Sequence, residues 1–443
     1  MISASQFYDI NGGDTAWVLT SAALVLLMTP GLAFFYGGMV RGKNVLTILM
    51  QNFITIGIVS VVWVLFQFTL AFGKGNDFIG DFHYMGLSHT AANRPLTNGA
   101  VLTIPILVYS MFQLMFAVIT PALFTGSIAD RIKFGPFVTL IVLWSLLVYA
   151  PIAHWVWSPT GWLFKQGAED FAGGTVVHAN AGAAGLALAL ALGKRKGWPK
   201  EPFKPHNLPF VLLGTGLLWF GWFGFNAGSA LGANGLAGVA FTTTNTATAA
   251  AMIGWVITEK IRDGHPTTLG AASGAVAGLV AITPACAYVS PVGSIILGVI
   301  AGSVCCLATG LKFKFGYDDA LDVVGVHLVG GVLGALLIGV LGTSAFNAAS
   351  IKGLAYGGNA KLLLHQAEAV GASVVYSFVV TFLLAKLVGL VFGGLRVSEE
   401  VEVEGLDINL HAESAYEIGS VGGSRRGTAS AASSAKSPAE VSA

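Results

Sequence analysis

Charge is what this sequence has least of. Asp, Glu, Lys and Arg together make up 10% of its 443 residues, well short of the roughly 25% that an ordinary soluble domain carries. The few charges nearly cancel, at a formal net +1, so composition gives no electrostatic case for a nucleic-acid partner. Cysteine is also scarce. Cys286, Cys305 and Cys306 have no metal-ligand spacing, so no metal or cofactor is expected, and they read as small buried apolar residues inside the eighth and ninth segments described next.

What replaces the charge is hydrocarbon. Apolar types account for 54% of the residues and mean hydropathy is +0.74, values that belong to a chain living in a bilayer. A hydrocarbon core of roughly 30 Å needs about 20 apolar residues per helix. Eleven such segments occur, at approximately 15 to 37, 45 to 72, 99 to 127, 136 to 153, 172 to 193, 208 to 231, 237 to 258, 268 to 287, 291 to 311, 320 to 341 and 366 to 394. Their Phe, Leu, Gly and Ala runs do not alternate with polar residues, which excludes barrel strands and predicts an all-α membrane protein.

Lys and Arg divide unequally between the two sets of connecting loops. Loops after segments one, three, five, seven and nine hold thirteen of them, five lying between Lys194 and Lys204, whereas the opposite loops hold five: Lys74, Arg94, Lys165, Lys352 and Lys361. The bias predicts an outside N-terminus and a cytoplasmic C-terminus. It also explains the basic loops without any anionic partner. No Lys or Arg precedes the first segment, which argues against a cleaved signal peptide.

Two segments echo each other. "VVHANAGAAG" in the fifth and "GVHLVGGVLG" in the tenth each place glycines four and seven residues after a histidine: Gly182 and Gly185 after His178, Gly331 and Gly334 after His327. Those offsets share the histidine's helix face and permit close approach of a second helix. Segments five apart cross in opposite directions, so the echo predicts an inverted repeat of segments one to five against six to ten, with segment eleven added. Asp170 and Asp322 stand where the two helices are expected to begin, fitting them to cap free N–H groups. From those starts, a rise of 1.5 Å per residue carries His178 about 12 Å and His327 roughly 7 to 8 Å inward, so the imidazoles can meet near mid-membrane.

Ionisable groups at that depth mark pathways. The other histidines fall in loops, at boundaries or in the tail, with His154 in an aromatic belt beside Trp155 and Trp157. Phe112 and Phe116 share a face of the third segment, and "WFGWFGFNAGSA" brings Trp219, Trp222, Phe225 and Ser229 into the sixth. Two deep histidines on facing helices also suit axial haem ligation, a reading that requires a visible absorption band.

At these residues the chain resembles the ammonium transporter family, the Amt, Mep and Rh proteins. The resemblance runs from about Trp17 to Tyr416, through "TPGLAFFYGG", "ADRIKFGPF", "DFAGGTVVHANAG", "WFGWFGFNAGSA", "DVVGVHLVGG" and "EGLDINLHAESAY". It implies eleven transmembrane helices, a homotrimer with one pore per subunit and a transporter domain over 1–394. Phe112, Trp157 and Ser229 are similar to an outer recruitment site for ammonium, with Asp170 below it. Phe116 and Phe225 resemble the gate, His178 and His327 the paired histidines of the pore, and Trp222 a pore-lining ring. Trp157 and Ser229 together favour the bacterial Amt type. An ammonium sensor is the third reading, although no kinase or cyclase sequence follows the last segment.

Residues 395–417 are expected to form a cytoplasmic regulatory tail carrying Asp407, His411, Glu413 and Tyr416. From Arg396 to Glu417 it has one basic and seven acidic residues, complementary to the loop Lys194 to Lys204. Where the family commonly has His-Gly-Glu, this chain has His411, Ala412 and Glu413, a substitution that matters if the position needs glycine's backbone freedom. The resemblance adds a P-II nitrogen-signalling protein as a partner on this face. Residues 418–443, rich in Ser, Ala and Gly, read as a disordered extension.

Overall fold

In the computed structural model, the described residues are 10–90, 96 and 102–416. Arg94, Glu417 and the extension 418–443 lie outside them.

Helices account for the architecture: among the described residues there is no strand, only isolated bridges pairing Ile132 with Arg396 and Val289 with Gly342. The helices are α1 (Gly12–Met39), α2 (Gly42–Phe72), α3 (Ile106–Ile128), α4 (Phe134–Trp144, continued by a π turn at Ser145–Tyr149 and by Ala150–Trp157) and α5 (Gly174–Leu192). They continue as α6 (Leu208–Gly228), α7 (Gly235–Asp263), α8 (Thr268–Ile282), α9 (Pro291–Ala308), α10 (Val324–Leu341) and α11 (Lys361–Val391). Nine of the eleven expected segments coincide with helices long and apolar enough to cross a bilayer. The other two are α7, whose hydropathy is diluted by Thr242–Thr244, Asn245, Thr246 and Thr248, and α8, whose 15 residues span about 22 Å. The chain is a multi-pass membrane protein.

Several boundaries differ from the apolar runs. α3 begins seven residues late because Pro105, in extended conformation, precedes its first turn. α4 runs on to Trp157, and α11 starts at Lys361 and stops where Gly393 and Gly394 take φ of +60° and +104°. α8 ends at Ile282, so Cys286 lies in the turn beyond it rather than inside the helix, still fully buried.

Helices approach closely wherever glycine removes a side chain. On α6, a Cβ at Gly221 would come 2.6 Å from the Leu24 carbonyl of α1; on α7, one at Gly254 would come 2.6 Å from the Val299 carbonyl of α9. The echo between α5 and α10 is reciprocal. A Cβ on Gly182 would overlap the backbone nitrogen of Leu328, the residue after His327, while one on Gly331 would lie 2.8 Å from the nitrogen of Ala179, the residue after His178. The glycines at plus seven face third helices instead, Gly185 meeting Ser127 of α3 and Gly334 meeting Ala281 of α8.

The helix starts follow the same symmetry, with one correction. Asp170 caps α5: its carboxylate accepts N–H groups from Gly173, Gly174, Thr175 and Val176 at 2.7–3.0 Å. On α10 that task falls to Asp319, not Asp322. Asp319 accepts the Val324 N–H at 2.7 Å and the Ser127 hydroxyl at 2.9 Å. Asp322 has φ +62°, which turns its side chain away to pair with Lys312 at 2.7 Å. Each capping aspartate therefore precedes its histidine by eight residues, Asp170 to His178 and Asp319 to His327. Counted from the observed helix starts Gly174 and Val324, His178 and His327 lie four and three residues in, about 6 and 4.5 Å along the axis, so the two stand at nearly equal depth rather than one deeper than the other.

Candidate functional site

The expected site residues come together along the interior of the bundle. At the end away from the tail, a cavity of about 120 Å³ is lined by Tyr109, Phe112, Gln113, Phe116, Trp157, Phe171, Ser229 and Leu231. α3 supplies Tyr109, Phe112, Gln113 and Phe116 from one face, since steps of three and four residues repeat on that face. The same spacing could have found Tyr109 and Gln113 in the sequence; nothing there marks Phe171 or Leu231. α4 ends at Trp157 and α6 ends just before Ser229.

Two polar groups of the lining are tied to backbone carbonyls. The Trp157 indole N–H donates to the Asp170 carbonyl at 2.8 Å, fixing the ring plane against the cavity. Ser229 donates its hydroxyl proton to the Phe225 carbonyl at 2.8 Å, which leaves the oxygen's lone pairs free to accept. Asp170 is not on the lining. The residue is 7% exposed and its carboxylate is committed to the α5 N-terminus; its contact with the lining is the backbone carbonyl that holds Trp157.

Below the cavity, rings fill the bundle in an unbroken series. Phe116 meets Phe112 at 4.9 Å, Trp157 at 5.6 Å and Phe225 at 4.3 Å between centroids. Phe225 lies 6.0 Å from the His178 ring and Trp222 lies 5.3 Å from it. The Trp222 indole N–H is tied to the Thr283 hydroxyl at 2.8 Å, so toward His178 it offers only its face. His178 and His327 are stacked at 5.4 Å, tilted by 23°, with their Nδ1 atoms 3.4 Å apart. A smaller cavity of about 40 Å³ follows on the tail side, lined by His327 together with Tyr36, Trp255, Val326 and Asp322.

The Nδ1 contact constrains the tautomers. If one imidazole donates through Nδ1, the other must accept there, so one Nε2 carries a lone pair and the other an N–H. The pair then presents an acceptor and a donor in sequence. The Nε2 of His178 is buried without a hydrogen-bond partner among the described residues. Two axial ligands would stand about 4 Å apart across a metal at roughly 2 Å each; the 3.4 Å contact between rings has no room for an iron and its macrocycle, which removes the haem reading. His154, by contrast, is a packing histidine whose ring nitrogens lie 2.9 and 2.7 Å from the Ala71 and Asn76 carbonyls.

The tail packs on the charged loops as its composition suggests. A short helix, α12 (Glu399–Glu404), presents Glu402, 1% exposed, to Arg396 and to the Lys196 backbone N–H, while Lys196 pairs with Glu399 at 2.6 Å. Asp407 caps the first α-helical turn of α2, accepting N–H groups of Leu46 and Thr47 at 2.9 and 2.8 Å and the Thr47 hydroxyl. The His411 ring meets Phe134 edge-on at 5.5 Å and Tyr416 reaches His206 at 2.9 Å. Glu413 contributes its backbone N–H, 3.4 Å from the Asp407 carbonyl. Beneath lies a buried cluster: Arg195 holds Asp318 through two hydrogen bonds of 2.9 and 3.0 Å and reaches Asp130 at 3.3 Å. Burial alone would raise the Asp318 carboxyl; the Arg195 bonds and charge hold it below the usual carboxylate value. Asp318 adjoins the α10 cap, so tail, loops and α10 share one polar network.

Comparison with known proteins gives a consistent assignment. The family model described as Ammonium Transporter Family matches residues 16–416. An ammonium transporter of Mycobacterium tuberculosis is 52% identical over 440 residues, covering 94% of this chain and 92% of its own. One from Bacillus subtilis is 51% identical over 406 residues, covering 91% and 98%. The crystal structure of Candida albicans Mep2 superposes with a TM-score of 0.83 at 32% identity, covering 88% of each chain.

Proposed function

The chain belongs to the ammonium transporter family, a family of transporters rather than enzymes, and on that premise we propose how it moves ammonium across the membrane. The ion is recruited in the cavity of Phe112, Trp157 and Ser229. Ring faces attract a cation by about 0.5 to 2 kcal/mol, and the Ser229 oxygen accepts a hydrogen bond that ammonium can donate and potassium cannot. Asp170, though spent on capping, adds a fixed negative charge beneath. Selectivity at this stage is modest.

The decisive step is loss of charge. Carrying an ion through the membrane centre costs at least about 2.5 to 3.5 kcal/mol. Ammonium has an alternative, since releasing a proton costs only about 1.4 kcal/mol for each unit by which its pKa exceeds the pH. Phe116 and Phe225 close the passage to water, and ammonia continues past His178, Trp222 and His327. The one observation that carries this reading is the pair of buried imidazoles in Nδ1 contact, 3.4 Å apart at the foot of the ring series. Their complementary tautomers hold ammonia by one acceptor and one donor, and the same pair offers a route for a separately relayed proton.

Asp407, His411, Glu413 and Tyr416 form the regulatory tail in this reading. The protein works as a homotrimer with a pore in each subunit, and a P-II nitrogen-signalling protein is the partner that closes the tail face. The contacts of Asp407 with α2 and of Glu402 with Arg396 support a tail that senses the loops around the pore exit.

Reconstituted protein tests the pore assignment. Ammonium-driven current should fall at least tenfold when His178 and His327 are both changed to alanine. Undiminished current with unchanged selectivity would remove the histidines from the mechanism.

A further inference from the structure

Away from the pore, a groove of about 470 Å³ lies between the tail-side ends of α5 and α11, lined by Leu192, Ala385, Lys386, Gly389 and Leu395 among others. It opens on the flank of α11 where Leu387, Leu390 and Val391 are exposed, the surface that meets bilayer hydrocarbon. Its floor is the turn Gly393–Leu395. That turn is pinned from beneath, because the Leu395 carbonyl accepts the Lys133 N–H at 2.8 Å, and the chain leaves it directly into the tail.

The walls are apolar, so water does not fill such a space stably. The rim is cationic. Lys386 is exposed and makes no ion pair among the described residues; its ammonium rests 5.1 Å from the Phe382 ring centre. Lys133 does not line the groove; its ammonium donates to the Gly393 carbonyl of the turn at 3.5 Å. Arg396, the remaining cation on the lining, is committed to Glu402 and to the Lys194 carbonyl at 2.6 Å. Among the described residues no carboxylate lines the groove. A lysine stem lying along hydrocarbon with its head at the interface is common, but here it closes the end of a preformed slot.

We propose that this groove binds one anionic glycerophospholipid of the tail-side leaflet, an acyl chain lying along Leu192, Ala385 and Gly389 and the phosphate meeting Lys386. The apolar slot selects a lipid over a free anion, and the unpaired ammonium selects a net negative headgroup over a zwitterionic one. Occupied, the site braces the turn from which the tail departs.

The test uses the full chain purified in neutral detergent, with lipid retention read by native mass spectrometry and stability by thermal unfolding. Phosphatidylglycerol should be retained and should raise the melting temperature more than phosphatidylcholine of the same chains, and sodium phosphate should do nothing. Lys386→Gln should weaken phosphatidylglycerol retention about fivefold, the equivalent of about 1 kcal/mol for one basic residue at a membrane surface, and leave phosphatidylcholine unchanged. Gly389→Leu should displace both lipids; its Cβ would meet only the Leu395 side chain, at 3.5 Å, so the helix tolerates it. Equal retention by Lys386→Gln and the parent, or equal effects of the two lipids or of phosphate, would overturn the proposal.

Discussion

Ala412→Gly should tighten the tail against the membrane domain. Ala412 has φ +55° and ψ +32°, in the left-handed region directly after the π turn Asp407–His411. There a Cβ crowds the following carbonyl at a cost of roughly 1 to 2 kcal/mol. Glycine removes that cost but makes the released tail more flexible, which returns about 0.4 to 1 kcal/mol. The balance, roughly 0.5 to 1 kcal/mol, multiplies the ratio of docked to free tails by about two to five. The backbone before it is already fixed by the Asp407 cap on α2 and by His411 against Phe134, and after it by Tyr416 on His206, so the change should appear as slower opening rather than a new position. Hydrogen exchange of amides 405–416 is the assay. Amides Leu406 and Ala412, bonded to Asn44 and to the Ile408 carbonyl, should exchange two- to fivefold more slowly in the glycine variant. Unchanged or faster exchange would refute the strain argument.

Other outcomes follow from the same geometry. Gly331→Ala would put a methyl group 2.7 Å from the Gly174 carbonyl and 2.8 Å from the Ala179 nitrogen, all backbone; overpacking of about 1 to 3 kcal/mol should lower the melting temperature and cut ammonium uptake. Gly216→Ala, with nothing within 4 Å, should leave both unaltered. Burial pushes the Glu169 carboxyl up to about 7, against hydrogen bonds from the Ile351 N–H and the Ser350 hydroxyl. A raised folded-state value means that the proton is held more tightly in the folded protein, so Glu169's contribution is complete below about pH 4.5 and is lost as pH rises through 7. Thermal stability should therefore decline over that interval, and the decline should shrink in Glu169→Gln when melting is compared at pH 5 and pH 8.

The histidine pair was the most legible part of the sequence because buried histidines stand out in an apolar run. His178 and His327 needed no partner elsewhere to be noticed, and the glycines four residues on announced the close approach that Gly182 and Gly331 make. The α10 cap was less legible. Asp322 sits nearest the apolar run, and only its positive φ and its pairing with Lys312 disqualify it; the shared spacing of eight residues to Asp319 was the available clue. Glu169 carried no signal at all, since its partners Ile351 and Gln366 are nearly two hundred residues away. The tail's acidic run suited solvent as well as protein, and Glu402 became interpretable only when Arg396 and the Lys196 N–H were found around it.

In the mechanism proposed above these pieces depend on a single requirement, that the ammonium proton is released before ammonia reaches the histidines and crosses separately, by its own relay. There Asp170 orients Trp157 at the recruitment cavity through its backbone carbonyl, the Phe116 and Phe225 rings, 4.3 Å apart, are assigned to exclude water, and the imidazoles are assigned to receive ammonia. Ammonium-driven and potassium-driven currents, recorded in the same proteoliposomes, test that requirement most directly. The account predicts an ammonium current well above any potassium current, because potassium has no neutral form and must cross as an intact ion at a cost of at least roughly 2.5 to 3.5 kcal/mol. A potassium current within a few-fold of the ammonium current would contradict it.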